Sequence, residues 1–136
     1  MHTAKPAPAD VLAYFDSLPT NRRGTALAVH TYLVGLPGIT CAMRYGVPFY
    51  SGHKWIAYLG TSHGLELCFL EARHLQTHAG LLQYHGRKAV AGFALEPADA
   101  IDWDTLQNVI ADASQIDADI AAKRLLPGIG TGRRRQ

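Results

Sequence analysis

This sequence contains little cysteine and no long apolar run. Only two cysteines occur, Cys41 and Cys68. No apolar run approaches the roughly 20 residues that a membrane-spanning helix needs. The opening residues, MHTAKPAPADV, contain no apolar stretch of the kind found in secretion signals. We therefore expect a cytoplasmic protein with reduced thiols and no membrane partner.

A concentrated basic surface is also lacking. The formal net charge is +2, and the three arginines at 133–135 exceed it, so the rest of the chain is slightly acidic. Seven of the eleven acidic residues lie between residues 96 and 125. Proteins that bind nucleic acids cluster basic residues on one folded face. This charge distribution therefore argues against a nucleic-acid partner.

Catalytic motifs in a fitting structural context are absent as well. The stretch GTSHG at 60–64 has the Gly-x-Ser-x-Gly pattern, but it lies at a turn between two extended runs, whereas a nucleophile elbow joins a strand to a helix. The GIGTG stretch at 128–132 has no helix after it that could present N–H groups to a phosphate. Cys68 lies in an apolar strand pattern, which is typical of a small buried residue rather than a nucleophile. No catalytic residue is predicted, and an enzyme is the less favoured interpretation.

What the sequence does contain is a clear series of helical and extended patterns. Apolar residues make up 48% of the chain, which is enough for one core. The patterns follow the order α-α-β-β-β-(α)-β-α. Strands segregated from helices indicate an α+β fold, with an antiparallel sheet of four to five strands and helices packed on one face. The predicted organisation is a flexible N-terminus, a single domain and a flexible basic tail, at 1–9, 10–125 and 126–136.

Several local features give this prediction its detail. Thr20 is a candidate N-cap of the second helix, and Asp102 of the last. Pro48 places the extended stretch 40–50 at an edge or a bend of the sheet. Gly92 suggests a bulge in the last strand. Strict alternation places one set of apolar residues on a single half-buried face of a hairpin, namely Val47, Phe49, Trp55, Ala57 and Leu59.

Four stretches of the chain carry a resemblance to a known family. They are YFDSLP at 14–19, RYGVPFYSG at 44–52, WIAYLGTSHGLELCF at 55–69 and IDWDTLQNVIADA at 101–113. In this order and spacing, they resemble the YdhG-like family, also called domain of unknown function 1801. The resemblance implies an α+β sandwich that is sometimes compared with frataxin. It also implies a role as an iron chaperone, since one member is described in that way.

Two groups of residues suggest metal binding. His74 and His78 would share one face of a helix, and such a pair suits zinc or a similar ion. The acidic residues of the last helix offer oxygen ligands for iron or another divalent ion, bound weakly, and the candidates are Asp102, Asp104, Asp112 and Asp119. The alternative is that the histidines are solvated on a loop, and that the carboxylates form a solvated face and helix cap.

Aromatic residues crowd one predicted hairpin. Because side chains alternate along a strand, some of them must face away from the helices. An uncovered sheet face would then expose an apolar patch, which marks a partner or a ligand groove. The candidate surface residues are Arg44, Tyr45, Phe49, Tyr50, Trp55 and Tyr58. The alternative is an ordinary core with scattered surface tyrosines.

Two functions remain open from the sequence. One is a small binding domain that carries iron or another metal, which the family resemblance implies. The other is a protein-interaction or self-associating module, a homodimer for example, that uses the open sheet face around residues 44–58.

Overall fold

The computed structural model describes residues 8–123. Three α-helices and a five-stranded sheet build the domain. The helices are α1 (Ala9–Ser17), α2 (Thr20–Val34) and α3 (Trp103–Ala121). The strands are β1 (Thr40–Arg44), β2 (Val47–Ser51), β3 (Trp55–Gly60), β4 (Glu66–Phe69) and β5 (Ala91–Ala94). Short 3₁₀ turns lie at Ala72–His74, Gln76–Leu81 and Ala98–Ala100.

The sheet is an antiparallel meander in which every strand pairs with its neighbours in sequence. This arrangement confirms the predicted α+β class. The predicted flexible tail at 126–136 and residues 1–7 of the predicted flexible N-terminus lie outside the described residues. No helix in the described range is long and apolar enough to cross a membrane.

The stretch predicted as one extended run at 40–50 is in fact a tight hairpin of two strands. Tyr45 and Gly46 link β1 to β2, with φ angles of 52° and 79°. Both values are positive, as a type I′ hairpin turn requires. Glycine adopts this geometry readily, but tyrosine does so rarely, and the sequence therefore gave little sign of the turn.

A bulge in β3 corrects the predicted alternation of the aromatic residues. Tyr50 pairs with Ala57 and Ser51 with Trp55, so Ile56 is an extra residue in β3. The bulge brings Trp55 to the same sheet face as Phe49, away from Ala57 and Leu59. Gly92, where a bulge was expected, pairs in regular register with Cys68.

The sheet has two unlike faces. One face, which we call the helix face, packs against the helices and forms the core; its buried residues are Tyr50, Ala57, Leu59, Leu67, Phe69, Ala91 and Phe93. Val11 and Phe15 of α1, together with Leu106 and Ile110 of α3, belong to the same core. We call the opposite face the open face. It carries Phe49, which pairs with Tyr58, and Tyr58 in turn pairs with Cys68.

Polar side chains cap the start of α3 and connect α2 to the segment that follows β5. Asp102 is the N-cap of α3 and accepts a hydrogen bond from the Thr105 N–H at 3.1 Å, as predicted. At the start of α2, Pro19 rather than Thr20 occupies the N-cap position, and Thr20 is the first helical residue. Arg22 of α2 forms a bidentate ion pair with Glu96, at 2.7 and 3.1 Å.

Candidate metal centre on the open face of the sheet

Four aromatic rings cover one half of the open face. Phe49 stacks on Tyr58 with ring centroids 5.0 Å apart, and it contacts Trp55 at 4.8 Å. Tyr45 lies 5.9 Å from Phe49 and 6.0 Å from Trp55, again between ring centroids. We call these four residues the aromatic cluster. Four of the six surface residues predicted from the sequence therefore lie together in this cluster.

The aromatic cluster is only partly exposed. Tyr45 is 84% exposed and Trp55 41%, whereas Phe49 is buried beneath them. Arg44 is exposed beside the cluster and donates a hydrogen bond to the Met43 carbonyl at 2.9 Å. Tyr50 does not belong to this surface. It lies on the helix face, fully buried, with its hydroxyl 2.8 Å from His30 Nδ1.

The other half of the open face carries a buried carboxylate. Glu66 begins β4 and is 2% exposed. Its side chain lies across β5 at Gly92, where any Cβ atom would overlap the carboxyl group. The absence of a side chain at Gly92 therefore makes room for Glu66. A buried carboxylate is costly unless ionic or hydrogen-bonding partners surround it.

Two histidines from different loops meet at this carboxylate. His85 Nε2 lies 3.1 Å from Glu66 Oε2. The ring of His63 stacks on that of His85 with centroids 4.2 Å apart and an interplanar angle of 3°. One ligand atom from each of the three residues lies within 4.8 Å of the others. We call His63, Glu66 and His85 the His–Glu–His cluster.

A tight turn presents His85 to the sheet. His85 and Gly86 have φ angles of 51° and 82°, and the Arg87 N–H donates to the Tyr84 carbonyl at 2.9 Å. These are the features of a type I′ turn. Gln83, just before it, exchanges two backbone hydrogen bonds with Gly92, both 2.9 Å long. The loop that carries His85 is thereby fastened to the outer edge of β5.

Arg87 and Cys68 lie beside Glu66 on the same half of the open face. Arg87 Nη2 lies 3.4 Å from Glu66 Oε1, and Arg87 Nη1 lies 3.6 Å from Cys68 Sγ. Burial raises the pKa of the Cys68 thiol to about 11, and the Glu66 carboxylate acts in the same direction. Burial likewise raises the pKa of Tyr58, which pairs with Cys68 across the strands. Cys68 is therefore a neutral thiol at neutral pH.

The His–Glu–His cluster has the composition of a transition-metal site. Imidazole nitrogen with one carboxylate oxygen suits zinc, iron(II) and related ions, whereas calcium and magnesium prefer oxygen ligands alone. Two of the three ligands are exposed, so an ion would be accessible from solvent. Within residues 8–123, this is the one group of three or more such side chains close enough to share an ion.

The residues predicted as metal ligands lie elsewhere, mostly apart from one another. His78 Nε2 lies 2.6 Å from Asp112 Oδ2, which is the one close pair among them. The side chain of His74 is largely buried, 4.0 Å from Glu71. Each of the other three sits on α3 in a local role: Asp102 caps it, Asp104 lies in its first turn, and Asp119 accepts a hydrogen bond from Gln115.

None of the three members of the His–Glu–His cluster is among the residues that the sequence predicted as metal ligands. The available signals were the seven histidines of the chain and Glu66, a lone charge within an apolar strand pattern. Comparison with protein-family models, with curated proteins and with solved structures found no match.

Proposed function

We propose that this protein binds a divalent transition-metal ion at the His–Glu–His cluster. The observation that carries the proposal is the convergence of His63, Glu66 and His85 within 4.8 Å on an accessible sheet face. The ligand set suits iron(II) and zinc. Among these ions, the resemblance to the YdhG-like family favours iron, and a metal carrier is the corresponding role. A reducing compartment such as the cytoplasm would suit both iron(II) and the free thiol of Cys68.

Calorimetry under anaerobic conditions tests this proposal. Metal-free protein is titrated with Fe²⁺ and then with Zn²⁺, alongside a variant that carries both His63→Ala and His85→Ala. We expect the double variant to lose at least about tenfold in affinity, because each histidine supplies a ligand. His53→Ala is the matched control, since His53 is exposed at the β2–β3 turn, outside the cluster.

A second pair of variants separates this site from the one predicted from the sequence. If His74→Ala with His78→Ala abolishes binding while the first double variant binds normally, the His–Glu–His cluster is not the site. Binding would then belong to the His78–Asp112 region. Absence of heat from either ion in the parent protein would overturn the metal-binding function itself.

Self-association through the aromatic cluster is a second candidate function. The observation that favours it is Tyr45, which is 84% exposed and held at a positive φ angle. Asparagine suits this turn position better than tyrosine, so Tyr45→Asn should preserve the fold. We expect sedimentation to show a dimer that this substitution weakens. A monomer at every concentration of the parent protein would contradict the idea.

A further inference from the structure

Three protein ligands leave a bound ion incompletely coordinated. Among the residues that the structure describes, no fourth histidine, cysteine, aspartate or glutamate joins the His–Glu–His cluster. Zinc prefers four ligands, and iron(II) held by two histidines and one carboxylate keeps open positions. Because His63 and His85 are exposed, those positions would be reached from solvent on the open face. A ligand from outside the chain can therefore complete the coordination of the ion.

The charges around the cluster favour an anion as this outside ligand. Glu66 supplies the one carboxylate of the cluster, and Arg87 Nη2 already lies 3.4 Å from its Oε1 atom. Histidine binds metal ions as the neutral imidazole. The charge of a divalent ion at the cluster would therefore be left largely uncompensated by the protein. An anion bound next to the ion would be stabilised by that charge.

An aromatic ring borders the cluster on the side of β3. Gly60 pairs with Glu66 across the strands and has no side chain to fill the space above it. The Tyr58 ring leans into that space, because a Cβ atom at residue 60 would lie 3.3 Å and 3.8 Å from two of its carbon atoms. The same ring stacks on Phe49, with centroids 5.0 Å apart. The aromatic cluster therefore extends along the open face to the His–Glu–His cluster.

We infer that the outside ligand is an aromatic oxygen chelator, an anion whose ring carries two adjacent oxygen donors, as catecholate does. The inference rests on the proposed function and names the class of small molecule that shares the ion with the protein. The two oxygens would occupy open positions of the ion, and the protons of their hydroxyl groups would pass to the buffer. The ring would pack against Tyr58 in an offset or edge-to-face arrangement. An aliphatic chelator would supply the oxygens without that contact.

Binding of 4-nitrocatechol to the metal-loaded protein tests this inference, because the visible absorption of this catechol changes when a metal binds its oxygens. The protein is loaded with Zn²⁺, or with Fe²⁺ in the absence of oxygen if iron alone binds. We expect an absorbance change that saturates as loaded protein is added and that the metal-free protein does not produce. Equilibrium dialysis should show that the metal and the catechol both stay with the protein.

Substitutions at Tyr58 separate packing of the catechol ring from metal binding. Tyr58→Leu should weaken catechol binding about two- to tenfold, the usual contribution of an aromatic pair. Its metal affinity in calorimetry should equal that of the parent, since Tyr58 is not a ligand. Tyr58→Phe keeps the ring and should bind the catechol as the parent does. Tyr32→Leu is the matched control, because Tyr32 lies on α2 and packs against the core on the helix face.

The outcomes distinguish this inference from the proposed function. The inference alone would be overturned if the loaded protein gave no absorbance change, if the metal-free protein gave the same change, or if the catechol removed the metal from the protein. Equal catechol affinity in Tyr58→Leu and the parent would also overturn it, because the ring would then contribute nothing. If Tyr58→Leu does not fold, Tyr58→Met, with its adaptable apolar side chain, gives the same comparison. A parent protein that binds neither metal ion would overturn the function and the inference together.

Discussion

At the scale of single residues, Gly92 is the position on which the carboxylate of Glu66 depends. A Cβ atom at residue 92 would overlap that carboxyl group, which is the far end of a flexible side chain. Gly92→Ala should therefore displace Glu66 rather than distort β5. We expect a loss of at least about tenfold in metal affinity with a stability cost of about 1 kcal/mol. Calorimetry and urea denaturation measure the two effects.

Gly80→Ala is the matched control for that substitution. A Cβ atom at residue 80 would meet no other atom within 4 Å. We expect this variant to bind metal as the parent does. Equal metal affinity in Gly92→Ala and Gly80→Ala would show that the position of the Glu66 carboxylate does not govern binding.

Residue-level detail is also where sequence reasoning reached its limit. Alternation along a strand predicted the wrong face for Trp55, because one extra residue, Ile56, reverses the pattern locally. Alternation also placed Tyr50 on the surface, although its side chain lies in the core. A bulge of this kind depends on how two strands pair, and neither strand encodes it alone.

At the scale of elements, Asp117 connects α3 to the β2–β3 turn. Its buried carboxylate accepts hydrogen bonds from the His53 N–H at 2.7 Å and the Lys54 N–H at 2.9 Å. Asp117→Asn leaves a single acceptor oxygen for two donors. We expect the free energy of unfolding to fall by about 1–3 kcal/mol, the usual cost of an unsatisfied buried group. Urea denaturation of both proteins provides the measurement.

Asp112→Asn serves as the comparison on the same helix. The side chain of Asp112 is 56% exposed and contacts His78, so this substitution should lower the free energy of unfolding by less than about 1 kcal/mol. Similar decreases for the two variants would show that the Asp117 carboxylate does not stabilise the turn.

Most elements were nevertheless predictable. The helical spacing and the cap at Asp102 identified α3, because both signals are local. The turn between β1 and β2 was missed because tyrosine, rather than asparagine or aspartate, precedes Gly46. Local signals thus predicted the helices and the strand content. The boundary between β1 and β2 was not predicted, because the turn there contains an atypical residue.

At the scale of the whole molecule, the Arg22–Glu96 ion pair connects the N-terminal helices to the C-terminal half of the chain. Glu96 also accepts a hydrogen bond from the Leu65 N–H at 3.0 Å. The hydrogen bonds from Arg22 and from Leu65 lower the pKa of Glu96 below its ordinary value of 4.5. The ionised form is therefore favoured by folding. This contribution to stability is present above pH 4.5 and is lost as the pH falls through the lowered pKa.

Glu96→Gln should consequently cost about 1 kcal/mol of stability at pH 7. The difference from the parent should shrink as the pH falls below 4.5, since the parent's own Glu96 then becomes protonated. Urea denaturation at pH 7 and across the acid range measures this. A difference that stays constant with pH would refute the assigned role of the charge.

The candidate site is also a whole-molecule property. His63, Glu66 and His85 follow no ligand spacing in the sequence, and they meet because the loop after the 3₁₀ turns folds back along β5. The residues predicted from spacing, such as His74 and His78, are near in sequence but have different neighbours in space. No short-range pattern in the sequence indicates that the loop returns along β5.

The stacked imidazoles of His63 and His85 have one more consequence. They belong to the loops on either side of β4, and an ion shared between them would act as a removable cross-link around that strand. Loading and folding of this region would then be thermodynamically linked, so that every gain in affinity is an equal gain in resistance to local opening. By the same linkage, release of the ion would make the loops that carry His63 and His85 easier to open.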